Sequence, residues 1–264
     1  MKIKDILNEM NKIAPITLMQ KGDNSGLLVG DPEREAKKVL AALDITNEAV
    51  DEARKKGADV IISHHPVIYD PLYSLSDKNP ACRAAKHGIS CICYHSPLDL
   101  AHGGMNDIIF DMLKLPLGLL KPQSFLEEIG GGCGYGYGLI CGMKTSLSPE
   151  ETAKLLKSAF GCTAVRYSRG GRPIKTIAFC SGSGGSMLED ALSLGADALI
   201  TGDVKHDRMI ATLNEGATIF DCGHFHTENI VLPYIAKKFA EDIPDLPFEI
   251  AESSVDPCAY IVEG

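Results

Sequence analysis

No run of apolar residues in this chain approaches the 18 or so needed for a membrane-spanning helix. The opening stretch, Met1-Lys2-Ile3-Lys4-Asp5-Ile6-Leu7, has no apolar core of the signal-peptide kind. Positive charge is in deficit: 26 Lys and Arg stand against 35 Asp and Glu, a formal net charge of −9. That balance argues against nucleic acid or an anionic membrane as a partner. An anionic small molecule stays open, because a metal ion or a local Lys/Arg pocket can offset the overall sign. Tryptophan is absent, and the nine cysteines show no CxxC pairing of the zinc-knuckle type. Cys91-Ile92-Cys93 sits in an apolar strand pattern, so the expectation is reduced, buried thiols in a cytoplasmic protein. The glycine-rich Gly130-Gly131-Gly132-Cys133-Gly134-Tyr135-Gly136-Tyr137-Gly138 is followed by no Gly-Lys-Ser/Thr, which excludes a phosphate loop there and leaves a flexible entry to a strand.

What is present is an ordinary globular composition, 45% hydrophobic and 23% charged over 264 residues, enough for one large or two modest α/β domains. Helical spacing of Ile3, Ile6, Leu7, Met10 and Ile13 gives an amphipathic helix ended by Pro15. A turn and short strand follow over Gly22 to Gly30. Strands are expected at Lys38 to Leu43, Asp59 to Ser63 and Ile89 to Tyr94. Helices are expected at Thr46 to Lys56, with Thr46 as N-cap and Gly57 as C-cap, at Asn79 to Lys86 and at Gly104 to Leu113. Leu115 to Phe125 reads as a Pro/Gly-bearing connector before strand Leu139 to Met143.

Ser148-Pro149-Glu150-Glu151 opens a helix to about Phe160. Strands near Thr163 to Tyr167 and Ile174 to Cys180, then Ala196 to Thr201, alternate with a helix from Val204 to Leu213. Ser181-Gly182-Ser183-Gly184-Gly185-Ser186 is either an anion site at a helix start or a tight strand-to-helix turn. A helix from about Glu228 to Phe239 and closing strands at Phe248 to Ala251 and Ala259 to Val262 complete the pattern. The alternation implies two α/β halves, residues 1–125 and 126–264, with mostly parallel sheets and ligands bound beyond the carboxyl ends of strands.

Gly57-Ala58-Asp59-Val60-Ile61-Ile62 resembles Gly195-Ala196-Asp197-Ala198-Leu199-Ile200. About thirty residues after each come a glycine, an apolar strand and a His-bearing turn. Two related halves explain this, as do convergent Gly-Ala-Asp turns.

The chain is organised around Asp221-Cys222-Gly223-His224-Phe225-His226-Thr227-Glu228, between an apolar strand and a helix. His224 and Glu228 are four residues apart and share one helical face, where an imidazole and a carboxylate can bind one metal ion. A polar first turn of a helix is the plainer reading. Of eight histidines, His64, His65, His95, His102, His206, His224 and His226 lie at or just beyond expected strand ends. His64 and His65 are adjacent and diverge, which suits two ions a few Å apart, and His95-Ser96-Pro97-Leu98-Asp99 brings a carboxylate that can bridge them. His64, His65, Asp99, His224 and Glu228 are thus three imidazoles and two carboxylates, enough for two divalent ions with open positions. The mixed nitrogen and oxygen set suits Zn, Fe, Mn, Co or Ni. His95, Asp203 and His206 are candidate proton-transfer or supporting groups, with strand-end hydrogen bonding as the alternative. Asp44 anchors a supporting network or forms a turn, and His102 and His226 read as surface or capping residues.

Seven segments occur in the order of one family: Asp23-Asn24-Ser25-Gly26-Leu27-Leu28-Val29-Gly30, Leu43-Asp44-Ile45-Thr46, Ser63-His64-His65-Pro66, His95-Ser96-Pro97-Leu98-Asp99, Gly103-Gly104-Met105-Asn106-Asp107, Gly202-Asp203-Val204-Lys205-His206 and Gly223-His224-Phe225-His226-Thr227-Glu228. In these the chain resembles the NGG-one interacting factor three family, also described as GTP cyclohydrolase I type 2 homologs, over nearly its whole length. The resemblance implies a dinuclear metal centre between two related α/β halves and a toroidal homohexamer. It implies His64, His65, Asp99, His224 and Glu228 as ligands, with Asp99 and Glu228 as bridges. The chain departs from the family in three places. Lys21-Gly22 precedes Asp23 where the family often has Trp, His206-Asp207 stands where the family has a histidine pair, and no length remains for an inserted middle domain.

The function expected is a metal-dependent hydrolase acting on a small molecule, nucleotide or phosphoester, with His95 or His206 moving protons. The alternative is a hexameric, non-catalytic metal-binding or regulatory assembly protein. Five ligands for two ions leave open positions, which favours catalysis.

Overall fold

The computed structural model describes residues 1–130 and 133–261. In chain order the elements are α1 (Ile3–Ile13), β1 (Gly26–Val29), β2 (Val39–Ala42), α2 (Asn47–Lys56), β3 (Val60–Ser63), α3 (Pro80–His87), β4 (Ser90–Cys93), α4 (Ser96–Leu100) and α5 (Met105–Lys114). They continue with β5 (Leu119–Ile129), β6 (Tyr135–Leu147), α6 (Pro149–Phe160), β7 (Arg166–Tyr167), β8 (Ile174–Phe179), α7 (Leu188–Ser193) and β9 (Ala198–Thr201). The last are α8 (His206–Asn214), β10 (Thr218–Asp221), α9 (His224–Glu228), α10 (Val231–Asp242) and β11 (Phe248–Ile250). Among the described residues no helix is long and apolar enough to cross a membrane. The expected helix starts have a visible cause. Thr46 accepts the Ala49 N–H, Asn79 those of Ala81 and Cys82, and Ser148 that of Glu151 in a capping box.

The chain divides into two compact units. One is Met1–Gly104 with Val231–Val255; the other is Met105–Ile230 with Asp256–Gly264. This grouping differs from a cut at residue 125, because β11 pairs in parallel with β2, Phe248 opposite Val39. In the first unit the sheet order is β1-β4-β3-β2-β11, parallel throughout except for the antiparallel edge β1. Strands β2, β3 and β4 are buried at every position. Each fully buried Leu or Ile in them, such as Leu40, Ile61, Ile62 and Ile92, contributes roughly 1.5–3 kcal/mol.

In the second unit the order is β5-β6-β8-β9-β10-β7. Only the β8–β9 and β9–β10 pairs are parallel, so the mostly parallel expectation is corrected here to a mixed sheet. The expected connector over Leu115 to Phe125 is instead largely strand β5. Pro122 concealed it, and the structure accommodates that proline on an edge strand with register shifts on either side. Residues 259–261 carry no regular strand, and Val262 lies outside the described residues, as do Gly131 and Gly132 of the glycine-rich stretch.

The internal repeat is structural. Run β1-β4-β3-β2 beside β7-β10-β9-β8: each has one antiparallel pair followed by two parallel ones. Asp59 Oδ2 accepts the Lys37 N–H at 2.8 Å, and Asp197 Oδ2 accepts those of Lys175 and Thr176, both at 2.8 Å. The Gly-Ala-Asp turn therefore recurs because its carboxylate satisfies backbone donors at the start of the neighbouring strand.

Candidate metal centre

In the first unit, β3 runs directly into His64 and His65, and β4 into His95. Parallel pairing sets Ser63 beside Cys93, so the residues just past both strands emerge side by side. The ring centroids of His64 lie 5.0 Å from His65 and 5.1 Å from His95. One nitrogen from each of the three imidazoles lies within 4.8 Å of the others, a spacing that can hold a metal ion. Adjacent side chains need not diverge here, because the strand has ended and its alternation with it.

Each ring is fixed from behind. His64 is fully buried with Nδ1 3.1 Å from the Tyr94 carbonyl oxygen, and its Nε2 is 3.6 Å from Asp99 Oδ1 on α4. His65 Nδ1 is 2.8 Å from Asp44 Oδ1, and His95 Nδ1 is 2.9 Å from Asp23 Oδ1. A carboxylate accepts, so in both pairs Nδ1 carries a proton, which in the neutral imidazole leaves the lone pair on Nε2. Asp23 is itself held by Ser96, whose N–H and Oγ–H donate to Oδ2 at 3.1 and 2.5 Å, and by the Asn24 N–H at 2.7 Å. Burial pushes the Asp23 carboxyl up, but hydrogen bonds from His95 and Ser96 outweigh it and hold the group well below the usual carboxylate range.

In the second unit, β10 ends at Asp221 and α9 begins at His224. His224 Nε2 lies 2.9 Å from Glu228 Oε2, the one-face pairing expected of residues four apart, and Glu228 is buried. His224 Nδ1 is 2.8 Å from Asp203 Oδ2. Gly182 makes room for this pair. It sits at φ +58, and a β-carbon there would stand 2.1 Å from Glu228 Oε1 and 3.3 Å from His224 Nε2. Its N–H donates to Thr227 Oγ1, and that of Gly184 to Thr201 Oγ1, so these two donors of the Ser181 to Ser186 segment are already taken by side chains of the protein.

Among the described residues the remaining histidines belong to none of the metal-type clusters. His206 is exposed on the first turn of α8, and His102 is exposed. His226 is no surface residue: it is part-buried with Nε2 3.1 Å from Asp256 Oδ2. Six of the nine thiols are buried, Cys91 and Cys93 among them, whereas Cys82 is part-buried and Cys133 and Cys258 are exposed. Burial pushes the Cys91 thiol up to about 12 and that of Cys93 higher still, and Cys93 Sγ–H donates to the His64 carbonyl. The partners Asp44 and Asp23 carried little signal in sequence beyond Asp44 lying at a strand end, and Asp23 was legible only within the Asp-Asn-Ser-Gly turn.

Fold and donor set together define a class: a two-unit α/β protein whose strand ends carry imidazole and carboxylate groups of metal-binding type. The family itself follows from comparison. The sequence model of the Duf34/NIF3 (NGG1p interacting factor 3) family matches residues 1–258, and the chain belongs to that family. It is 32% identical over 267 residues to a "GTP cyclohydrolase 1 type 2 homolog" of Clostridium perfringens, covering 99% of this chain and all of that one. It is 30% identical over 275 residues to "NIF3-like protein 1" of Drosophila melanogaster, covering 98% and 89%. A crystal structure of a hypothetical protein from Staphylococcus aureus superposes with a TM-score of 0.86 at 27% identity, over 99% of both chains.

Proposed function

We propose that this protein is a metal-dependent hydrolase that holds two divalent transition-metal ions per chain. His64, His65 and Asp99 are the ligands from the first unit, and His224 and Glu228 those from the second. The observation that carries the reading is the arrangement of the imidazoles. Three of them, His64, His65 and His95, converge within 4.8 Å, and the ring nitrogens turned away from that convergence are taken by carboxylate or carbonyl oxygen. Metal-ligating histidines are oriented in this way, with the second nitrogen tied to carboxylate or backbone. The donors fit a borderline metal such as Zn, Fe, Mn, Co or Ni, and the elevated thiols of Cys91 and Cys93 are not part of the set.

Bound at such donors, metal ions lower the pKa of water and polarise an electrophilic carbon or phosphorus. The chain's own contribution is to hold Nε2 lone pairs in place before the metal arrives. It also offers the His95–Asp23 pair as a group that accepts and returns a proton at His95 Nε2. The relatives' printed names make GTP the first substrate to try, followed by other nucleotides, phosphoesters and cyclic amides. The working form is a homohexamer, checked by size-exclusion with light scattering, where a clean monomer removes that part of the proposal.

The deciding experiment is elemental analysis of protein purified without chelator or added metal, followed by the substrate panel, with Glu228→Ala as control. Near two ions per chain, turnover, and loss of both in the variant support the reading. Near zero metal with no uptake on reconstitution overturns it. Two ions without turnover on any substrate replaces it with a metal-binding assembly role.

A further inference from the structure

Two of the candidate ligands are held by the same device, built at different strand pairs of the repeat. In the first unit the β2–β3 register sets Ala42 beside Ser63, and two residues further on Asp44 faces His65. In the second, the β9–β10 register sets Thr201 beside Asp221, and just past both strand ends Asp203 faces His224. Both contacts are Nδ1 to carboxylate oxygen at 2.8 Å, and both span 21 residues of sequence. The spacing is that of one strand–helix–strand passage, which returns the chain to the same sheet edge one strand over.

The second pair carries a further mark. Asp203 has φ +51 and is the only non-glycine residue with positive φ among those described. A left-handed backbone costs an L-residue with a β-carbon about 1 kcal/mol or more, least for Asp and Asn, and is retained where the surroundings need it. Here it turns the carboxylate toward His224.

We propose that Asp203 and Asp44 are positioning residues for metal binding. Each holds one imidazole as the Nδ1–H tautomer, with the Nε2 lone pair presented for coordination, Asp203 for His224 and Asp44 for His65. The inference rests on the metal-binding reading above.

The test uses the full chain, stripped of metal and titrated with Co(II) against a competing chelator, with the visible absorption of bound Co(II) as a second readout. Asp203→Asn keeps a residue that tolerates positive φ and removes the charge. Asp203→Gly removes the carboxylate and relieves the backbone. Asp44→Asn is the counterpart in the first unit. In each variant Co(II) affinity is expected to weaken by about 10- to 100-fold, the range seen for such partners, with the visible spectrum altered.

Asp203→Gly separates positioning from structure. The expected result is an unfolding temperature at or near wild type with weakened Co(II) binding. Unchanged affinities and spectrum in Asp203→Asn and Asp44→Asn overturn the proposal, as does weakening that only follows a fall in unfolding temperature. Wild-type protein that takes up no Co(II) overturns the metal reading itself, a result distinguishable from failure of the variants alone.

Discussion

Replacing Gly182 by alanine puts one methyl group into the space that the Glu228 carboxylate occupies. At φ +58 the new residue carries left-handed strain of about 1–2 kcal/mol. Its β-carbon would then stand 2.1 Å from Glu228 Oε1, against ordinary contacts of about 3.4 Å, so the carboxylate must retreat by about 1 Å. A side-chain end usually yields cheaply. This one is 5% exposed, and its other oxygen is 2.9 Å from His224 Nε2, so retreat breaks the pairing or shifts α9. Overpacking of this kind costs about 1–3 kcal/mol, giving a total of about 2–5 kcal/mol and a fall in unfolding temperature of about 4–20 °C. Gly57→Ala is the control. It has similar strain at φ +68 with nothing within 4 Å of the added carbon, so it should lose only the strain energy and keep its metal. Thermal unfolding and elemental analysis of both variants check the argument. A Gly182→Ala protein that binds metal like wild type and melts with Gly57→Ala refutes it.

Glu52 should make stability acid-sensitive. Burial pushes its carboxyl up, but the Lys56 ammonium, Ser253 and the backbone N–H groups of Glu252 and Ser253 bring it down to about 2 from 4.5. A depressed carboxyl contributes stability above its unfolded pKa and loses it as pH falls through the folded one, here between about 4.5 and 2. The contribution is no more than about 3 kcal/mol. In urea unfolding across that range, Glu52→Gln should be weaker than wild type at neutral pH and converge with it near pH 2; a constant gap refutes the linkage. Cys91→Ser should leave metal content unchanged while lowering stability by about 1–3 kcal/mol, since it places a hydroxyl in a fully buried strand; loss of metal would make the thiol a ligand.

Local signals were strong enough to read most elements and to nominate candidate metal ligands. Apolar four-residue runs bounded by turns identified β2, β3, β4, β9 and β10, and the caps at Thr46 and Ser148 identified helices α2 and α6. Histidines at the ends of those runs stood out because a parallel sheet puts chemistry there. The four-residue spacing of His224 and Glu228 is a property of helix geometry alone, so their pairing was legible before any fold was known. The repeated Gly-Ala-Asp turn pointed to related units for a reason the structure supplies, the aspartate's bonds to the next strand.

Tertiary structure decided what depends on neighbours distant in the chain. β5 was hidden because proline in a strand is tolerated only where an edge leaves its missing N–H unneeded, and edges are set by sheet order. The mixed character of the second sheet and the return of α10 and β11 to the first unit are likewise matters of pairing. The partners Asp23 to His95, Asp44 to His65 and Asp203 to His224 lie 72, 21 and 21 residues apart. Sequence alone nominated candidate metal ligands by residue type and strand-end position. Strand register decided which carboxylate stands behind which imidazole, because register brings residues that far apart within 3 Å.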